Sequence, residues 1–506
     1  MKPNNKIPEK ETATMTDMPV SLTFEEFPRE ETMLNVLTLG VKNDGSEDVS
    51  EIVNRYTADH ALFFPAGKYK VSRPLVIKNP IYGVGYARSG NIDMTHTWLI
   101  SDIDHDDSDP LNEVGVVQFG GSGRFTVEDL NIVCKSHECA IYINPCLQAT
   151  ATFVNKVGMY GIRGYGLCAA NDPAKPGFAS RPLFLQNMTI LGTSDESLPS
   201  VGIYLGAHIG DNRLANIEIM GTCVGIIQEA SFVYATNLHL WTGCLGHAGD
   251  DGWWSHTRGI VLGHAEFIGD NIYIDTSYIH VEFKSHGANL SINNFMEWED
   301  GSNDKCTWHS GKLFGCAPGL KDAPTINLNG GLVYVKGNDD NPGQLSDITA
   351  PGLNPTMHNV RILSDFKVNY KNFRRLSFTD CDTPTYNVAA NPGYVRIAGI
   401  VAGSDNGSTE IVFTSDVGDR ANITVDKVNG EIFVESKPGR KCAPLYAKIE
   451  DDFVTVYAKA DADGVFSVNT VCASREVFPI NLGMIKNGAR VQISEVLDSA
   501  DGLTAL

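Results

Sequence analysis

The chain has 506 residues, of which 42% are hydrophobic and 20% charged, and its formal net charge is −21 at pH 7. These are globular values, so a disordered chain is excluded, and the acidic balance argues against nucleic acid, whose phosphates need clustered Lys and Arg. The length suits two domains better than one.

Residues 1–33 hold Pro3, Pro8, Pro19 and Pro28 among many charges. Too polar to bury a core, they read as an N-terminal arm or linker, either an attachment peptide or a frayed terminus. No apolar run there resembles a signal-peptide core, and no stretch approaches a membrane span, so a cytoplasmic site of synthesis is expected. The eleven cysteines, scattered without a C-x-x-C pair, are expected to be reduced and mostly buried. Their spacing favours no zinc site, and nothing calls for another cofactor.

Residues 34–77 organise the chain. Leu34, Val36, Leu37 and Leu39 mark a strand, Asn43-Asp44-Gly45 a turn, and Ala61-Leu62-Phe63-Phe64-Pro65-Ala66-Gly67-Lys68-Tyr69 the start of a second extended run that continues to Ile77. Between them Val49, Ile52, Val53 and Tyr56 recur at i, i+3, i+4, i+7, which predicts a helix over 49–56 with one apolar face. Asp48 at its N-cap and Glu51 three residues on form a variant capping box. This order resembles the entry segment of the pectate-lyase-like superfamily of right-handed parallel β-helices. The resemblance implies a parallel β-helix over 34–378 whose open end is closed by the helix, as unpaired strand edges require.

From residue 125 onward an Asn or Asp followed by alternating apolar residues recurs at Asp129, Asn187, Asn216, Asn237, Asn271, Asn294 and Asn359, with a degenerate copy at Asn155. Spacings of about twenty to thirty-five residues fit a solenoid with unequal loops. Each Asn is expected to start a coil's strand and to join an amide ladder along the axis. Counting from the Asn, positions +1 and +3 point inward and +2 and +4 outward. The inward columns are apolar until Glu297. The outward ones hold Glu218, His239 and Tyr273 at +2, and Met220, Trp241, Asp275 and Trp298 at +4.

That outward face is where chemistry is expected. Aromatic faces bind the apolar sides of sugar rings, and paired carboxylates flank a glycosidic bond in hydrolases. Asp275 is the expected nucleophile or base, Glu299 the acid and Glu218 the reserve carboxylate. Trp241, Trp298, Tyr273 and His239 are expected to line the groove, with Trp253, Trp254 and His256 closing it from the 250–256 connection. A lyase would need a basic column beside bound calcium, and none is legible, so hydrolysis is favoured.

Residues 379–392 read as a linker. Beyond it, alternating runs at 394–400, 410–413, 423–425, 431–435, 445–449, 453–457 and 466–471, with hairpin turns at Asn429-Gly430 and Asp451-Asp452, predict a β-sandwich of jelly-roll type over 393–506. This lobe is similar in pattern to the C-terminal lobes of phage tail receptor-binding proteins. The resemblances together imply a homotrimeric tailspike or tail appendage that binds and hydrolyses a host-surface polysaccharide. A bacterial polysaccharide-degrading enzyme and a non-catalytic fibre are the alternatives.

Overall fold

The computed structural model describes residues 33–105, 114–120, 123–143, 149–169, 182–193, 200–206, 211–242, 256–285, 287–298, 312–317, 320, 324–334, 343–346, 354–363, 368–369, 376–379, 386–390, 392–401, 407–414, 420–438, 443–451, 453–461, 464–473, 477–478, 485–486, 489–492 and 496–506. The described residues between 33 and 379 form a parallel β-helix of three sheets. In sheet I, Leu75, Val117, Ile141, Leu167, Ile203, Ile226, Ile260, Val281 and Phe314 stack in one register column. Val127, Val154, Leu185, Leu214, Ala235, Gly269, Ile292, Leu328 and Met357 do so in sheet II. In sheet III the column is Leu130, Val157, Met188, Ile217, Leu238, Ile272, Phe295, Gly331 and Val360. Each coil crosses the sheets in that order, and their inward side chains share one continuous core.

The Asn repeats lie on successive coils at equivalent positions, but not at strand starts. They sit at a bend inside a strand, where the chain leaves sheet II and enters sheet III. Asp129, Asn187, Asn216, Asn237, Asn271, Asn294 and Asn359 all have φ between 52° and 59°, the left-handed region that Asn and Asp tolerate better than other side chains. In the degenerate copy it is Lys156, not Asn155, that takes φ 52°. Gly330, at φ 74°, supplies the bend in the coil between Asn294 and Asn359. A glycine meets the backbone requirement without an amide, which is why the Asn pattern skips that coil.

The amide ladder is present. Asn187 donates to Asn155 Oδ1 at 2.9 Å, Asn216 to Asn187 at 3.0 Å, Asn237 to Asn216 at 2.9 Å, Asn271 to Asn237 at 3.2 Å and Asn294 to Asn271 at 2.6 Å. At Gly330 it steps one column sideways, and Asn329 donates to Asn293 at 3.2 Å.

At the entry the predicted strand is cut short. Met33–Asn35 is a strand, but Val36–Leu39 is a 3-10 turn ended by Gly40 at φ 84°. The Asn35 side chain accepts the Leu37 N–H at 2.9 Å, and this local bond competes with strand pairing. Asp44 and Gly45, read as a turn, begin the strand Asp44–Asp48.

The helix is Ser50–Tyr56, with Val49 and Val53 buried beneath it. Asp48 accepts from Ser50 N at 3.1 Å, Ser50 Oγ at 2.6 Å and Ser72 N at 3.0 Å, so it ties the helix start to the next coil. Glu51 pairs with Arg55 at 2.9 Å instead of completing a capping box. The helix lies beside Leu75–Ile77, the first strand of sheet I. Asn54 accepts the Val76 N–H at 2.7 Å and donates to Pro74 O at 2.9 Å, standing in for a missing neighbouring strand.

The C-terminal region is an antiparallel sandwich. One layer holds Tyr386–Ala390, Gly464–Ala473, Gly407–Thr414, Arg420–Val428 and Glu431–Pro438. The other holds Gly393–Val401, Phe453–Ala460 and Leu445–Glu450, with short strands at its edges. Ile411, Phe413, Ile423 and Phe466 of the first pack with Val395, Ile397, Val454 and Val456 of the second. Both hairpin turns are two residues long, with Asn429 at φ 52° and Asp451 at φ 50°. Tyr386–Ala390, inside the stretch read as a linker, is a strand.

Candidate functional site

The outer face of sheet III carries one column running Asn131, Gly158, Thr189, Glu218, His239, Tyr273, Met296, Leu332 and Arg361. Its exposure changes along the axis. Asn131 and Thr189 are 0% and 2% exposed, whereas Met296 is 39% exposed. The first coils are covered by residues 83–96. Asn131 accepts the Ala87 N–H at 2.9 Å and donates to Thr97 O at 3.0 Å, while Tyr160 Oη–H donates to Ala87 O. The face opens at Glu218.

From that point the predicted residues come together. His239 Nδ1 lies 3.5 Å from Glu218 Oε1. The His239 and Tyr273 rings, one coil apart, stack with centroids 4.7 Å apart and planes 7° from parallel. Tyr273 Oη–H donates to Asp275 Oδ2 at 3.1 Å, and Thr276 Oγ1–H donates to Asp275 Oδ1 at 2.7 Å. Trp241 is opposite Asp275 in the register, half-buried on the same face, with Met220 beyond it. Parallel stacking is what forces this: strands about 4.8 Å apart hold rings of equal position face to face.

The covering segment adds a cation. A hydrogen bond with the Tyr86 side chain, and beyond it the nearby Glu218 carboxylate, raise the Arg88 pKa above its ordinary value. Arg88 and Tyr86 therefore stand at the closed end of the open face. Neither was legible as a site residue, because their place depends on Asn131 and Tyr160 fixing the 83–96 backbone from other coils. Thr276, at φ 51°, is the other residue missed. Its signal was weak, a hydroxyl directly after the candidate Asp.

Other candidates fall elsewhere. His256 is exposed at the corner leading into sheet I, where its carbonyl accepts from Cys223 Sγ at 3.5 Å. No described contact joins it to Asp275. Trp298 is opposite Asp275 through its backbone, while its side chain, Trp253, Trp254 and Glu299 lie outside the described residues. Glu297, the break in the inward column, does point inward and is 2% exposed. Cys134, Cys139, Cys168, Cys223 and Cys316 are free and buried, as expected of reduced thiols. Among the described residues no group of three or more His, Cys, Asp or Glu is arranged to hold a metal ion, and no helix is long and apolar enough to cross a membrane.

No protein-family model matches the chain, and no curated sequence matches it. Among solved structures it is similar to full-length tailspike protein 2 from Escherichia coli O157:H7 bacteriophage CAB120, at 12% identity over 86% of this chain and 68% of that one, with a TM-score of 0.46. It is also similar to the tailspike of Acinetobacter phage vB_ApiP_P1, at 10% identity over 94% and 88% of the two chains with a TM-score of 0.41. A third is a mutant tailspike of E. coli bacteriophage HK620 in complex with a pentasaccharide, at 10% identity over 85% and 90% with a TM-score of 0.36. The β-helix itself rests on the strand pairing described above, independently of these similarities.

Proposed function

We propose that the open part of sheet III is a glycan-binding groove and that the protein is a tailspike-like hydrolase of a host-surface polysaccharide. The observation that carries this reading is the linked set Glu218, His239, Tyr273 and Asp275 beside Trp241, where the face emerges from beneath residues 83–96. Flat rings and carboxylates side by side suit a sugar, which presents apolar ring faces and hydroxyl edges together. Asp275 serves as nucleophile or base and Glu299 as the acid, with Trp298, Trp253 and Trp254 as further walls. Glu218 sits two coils from Asp275, about 10 Å along the axis, and binds rather than reacts. Attachment to a virion runs through residues 1–33, and the assembly is a homotrimer.

A non-catalytic, receptor-binding role has one observation in its favour. Both oxygens of Asp275 already accept hydrogen bonds from the chain's own hydroxyls.

Purified full-length protein assayed for new reducing ends on a panel of bacterial surface polysaccharides separates the two. Turnover is expected on at least one of them, with Asp275→Asn reducing it at least about 10²-fold while binding persists. Binding without turnover leaves the groove in place and removes the hydrolase. Wild-type activity in Asp275→Asn overturns the catalytic assignment.

A further inference from the structure

Inside the β-helix, sheet I sets a glycine opposite a branched residue of sheet III in coil after coil. A Cβ added to Gly166 would lie 2.8 Å from Ile190 Cγ2, to Gly202 2.5 Å from Ile219 Cγ2, and to Gly259 2.6 Å from Ile274 Cγ2. In the following coil both positions change at once. His280 takes the glycine position and Glu297 the isoleucine position, and they are 1% and 2% exposed.

Their hydrogen bonds constrain the protons. His280 Nδ1 is 3.1 Å from the Lys312 carbonyl, which can only accept, so Nδ1 carries a proton. His280 Nε2 is 3.2 Å from Glu297 Oε1, yet an N–H in the ring plane at Nε2 finds no hydrogen-bond partner. A carboxyl O–H turned toward Nε2 satisfies both groups. Glu297 Oε2 accepts the Tyr334 N–H at 2.8 Å.

Ile274 and Val333 flank Glu297 in its column. The Lys312 ammonium donates to Tyr278 Oη at 3.0 Å and lies 4.6 Å from that ring's centroid. Arg258 and Glu282 pair at 3.2 Å across the adjoining strands of sheet I. Burial pushes the imidazolium form of His280 down, to about 4.

We propose that His280 and Glu297 form a one-proton latch in the lumen, a neutral imidazole joined to a protonated carboxyl, which fixes the coil behind the groove and loosens as pH rises. The inference is independent of what the groove binds. In the unfolded chain a Glu side chain ionises near its ordinary value of about 4.3. Unfolded His280, however, keeps its proton up to about pH 6.5, so between those two values both states hold one proton, and only above about 6.5 does the folded latch hold a proton that the unfolded chain has released. Above about pH 6.5 stability therefore falls with rising pH, about tenfold in the folding equilibrium constant per pH unit, until the folded pair releases the proton too.

The test compares denaturant unfolding of full-length wild type and Glu297→Gln from pH 5 to 8. Gln keeps the shape and can donate an amide N–H to Nε2, but it does not titrate. The ratio of wild-type to variant folding constants is expected to fall about tenfold per pH unit within that window. Parallel profiles would overturn the latch. A second variant, His280→Gly with Glu297→Ile, repeats the Gly259 and Ile274 arrangement and carries neither titrating group, so the wild-type folding constant is expected to fall relative to it only above about pH 6.5, about tenfold per pH unit. If it follows wild type instead, the pH dependence arises elsewhere and the latch is again overturned. The nitrogen chemical shifts of His280 at pH 6.5 are expected to be those of a neutral Nδ1–H ring, and an imidazolium would place the proton wrongly.

Discussion

Asn237 has two separate tasks at one position. Its backbone takes φ 52°, which turns the strand from sheet II into sheet III, and its amide links Asn216 below to Asn271 above. The two tasks separate by substitution. Asn237→Gly keeps the bend and loses the ladder bonds, at a cost of about 1 kcal/mol, whereas Asn237→Ala loses both, at about 2–3 kcal/mol. Unfolding midpoints of the two variants check this, and equal losses would mean that the backbone requirement is minor. Within the site, His239 and Tyr273 depend on each other's rings, so His239→Ala is expected to weaken glycan binding about tenfold through the lost stack, read by titration against a polysaccharide that wild type binds. Asp275 keeps its hydroxyl partners in that variant.

At the scale of elements, the entry helix shows how few groups close an open β-helix. The apolar contribution comes from Val49 and Val53, and the polar one from Asp48 and Asn54 on the neighbouring strand and coil. Burial alone would raise the Asp48 pKa, but the hydrogen bonds from Ser50 and Ser72 outweigh it and bring the group down to about 2. A carboxyl depressed in the folded state adds stability above its unfolded pKa, and that stability is lost as pH falls through the folded value. The attachment of the helix is therefore expected to weaken between about pH 4 and pH 2, with faster exchange of the Ser50 and Ser72 amides as the measurement. In Asp48→Asn those amides should exchange with no such step. Asn54→Ala strips two partners from the first strand of sheet I and is expected to cost about 1–2 kcal/mol, seen in the unfolding midpoint.

For the whole molecule, the outer face of sheet II bears on assembly. Phe153 and Phe184 stack with centroids 4.7 Å apart, Arg213 lies 5.7 Å from the Phe184 centroid, and Tyr234 and Phe232 are 44% and 45% exposed. An aromatic stripe that is half-buried at Phe153 and Phe184 and exposed at Phe232 and Tyr234 suits a subunit contact. Sedimentation of full-length protein at micromolar concentration is expected to give one oligomer, and Phe232→Glu together with Tyr234→Glu should shift it towards monomer. A monomeric wild type would count against the proposed trimer. The latch in the lumen belongs to this scale as well, because its proton links strands of two sheets.

The sequence alone determined the solenoid and the sandwich. Both are periodic, and a period of two along strands with an Asn recurring once per coil is a local signal that each coil repeats. It also placed Glu218, His239, Tyr273, Trp241 and Asp275 on one face, since register columns follow from counting residues after each bend. Tertiary structure decided the rest. Whether the bend needs Asn, Lys156 or Gly330 depends on φ, which several residue types satisfy. Where the face is open depends on residues 83–96, whose path is set by Asn131 and Tyr160, hydrogen-bonding from coils that are distant in sequence. The Glu297 break in the inward column was visible as an anomaly, but its partner was not. His280 meets it only because the coil brings sheet I and sheet III together across the lumen, a distance that no local pattern encodes.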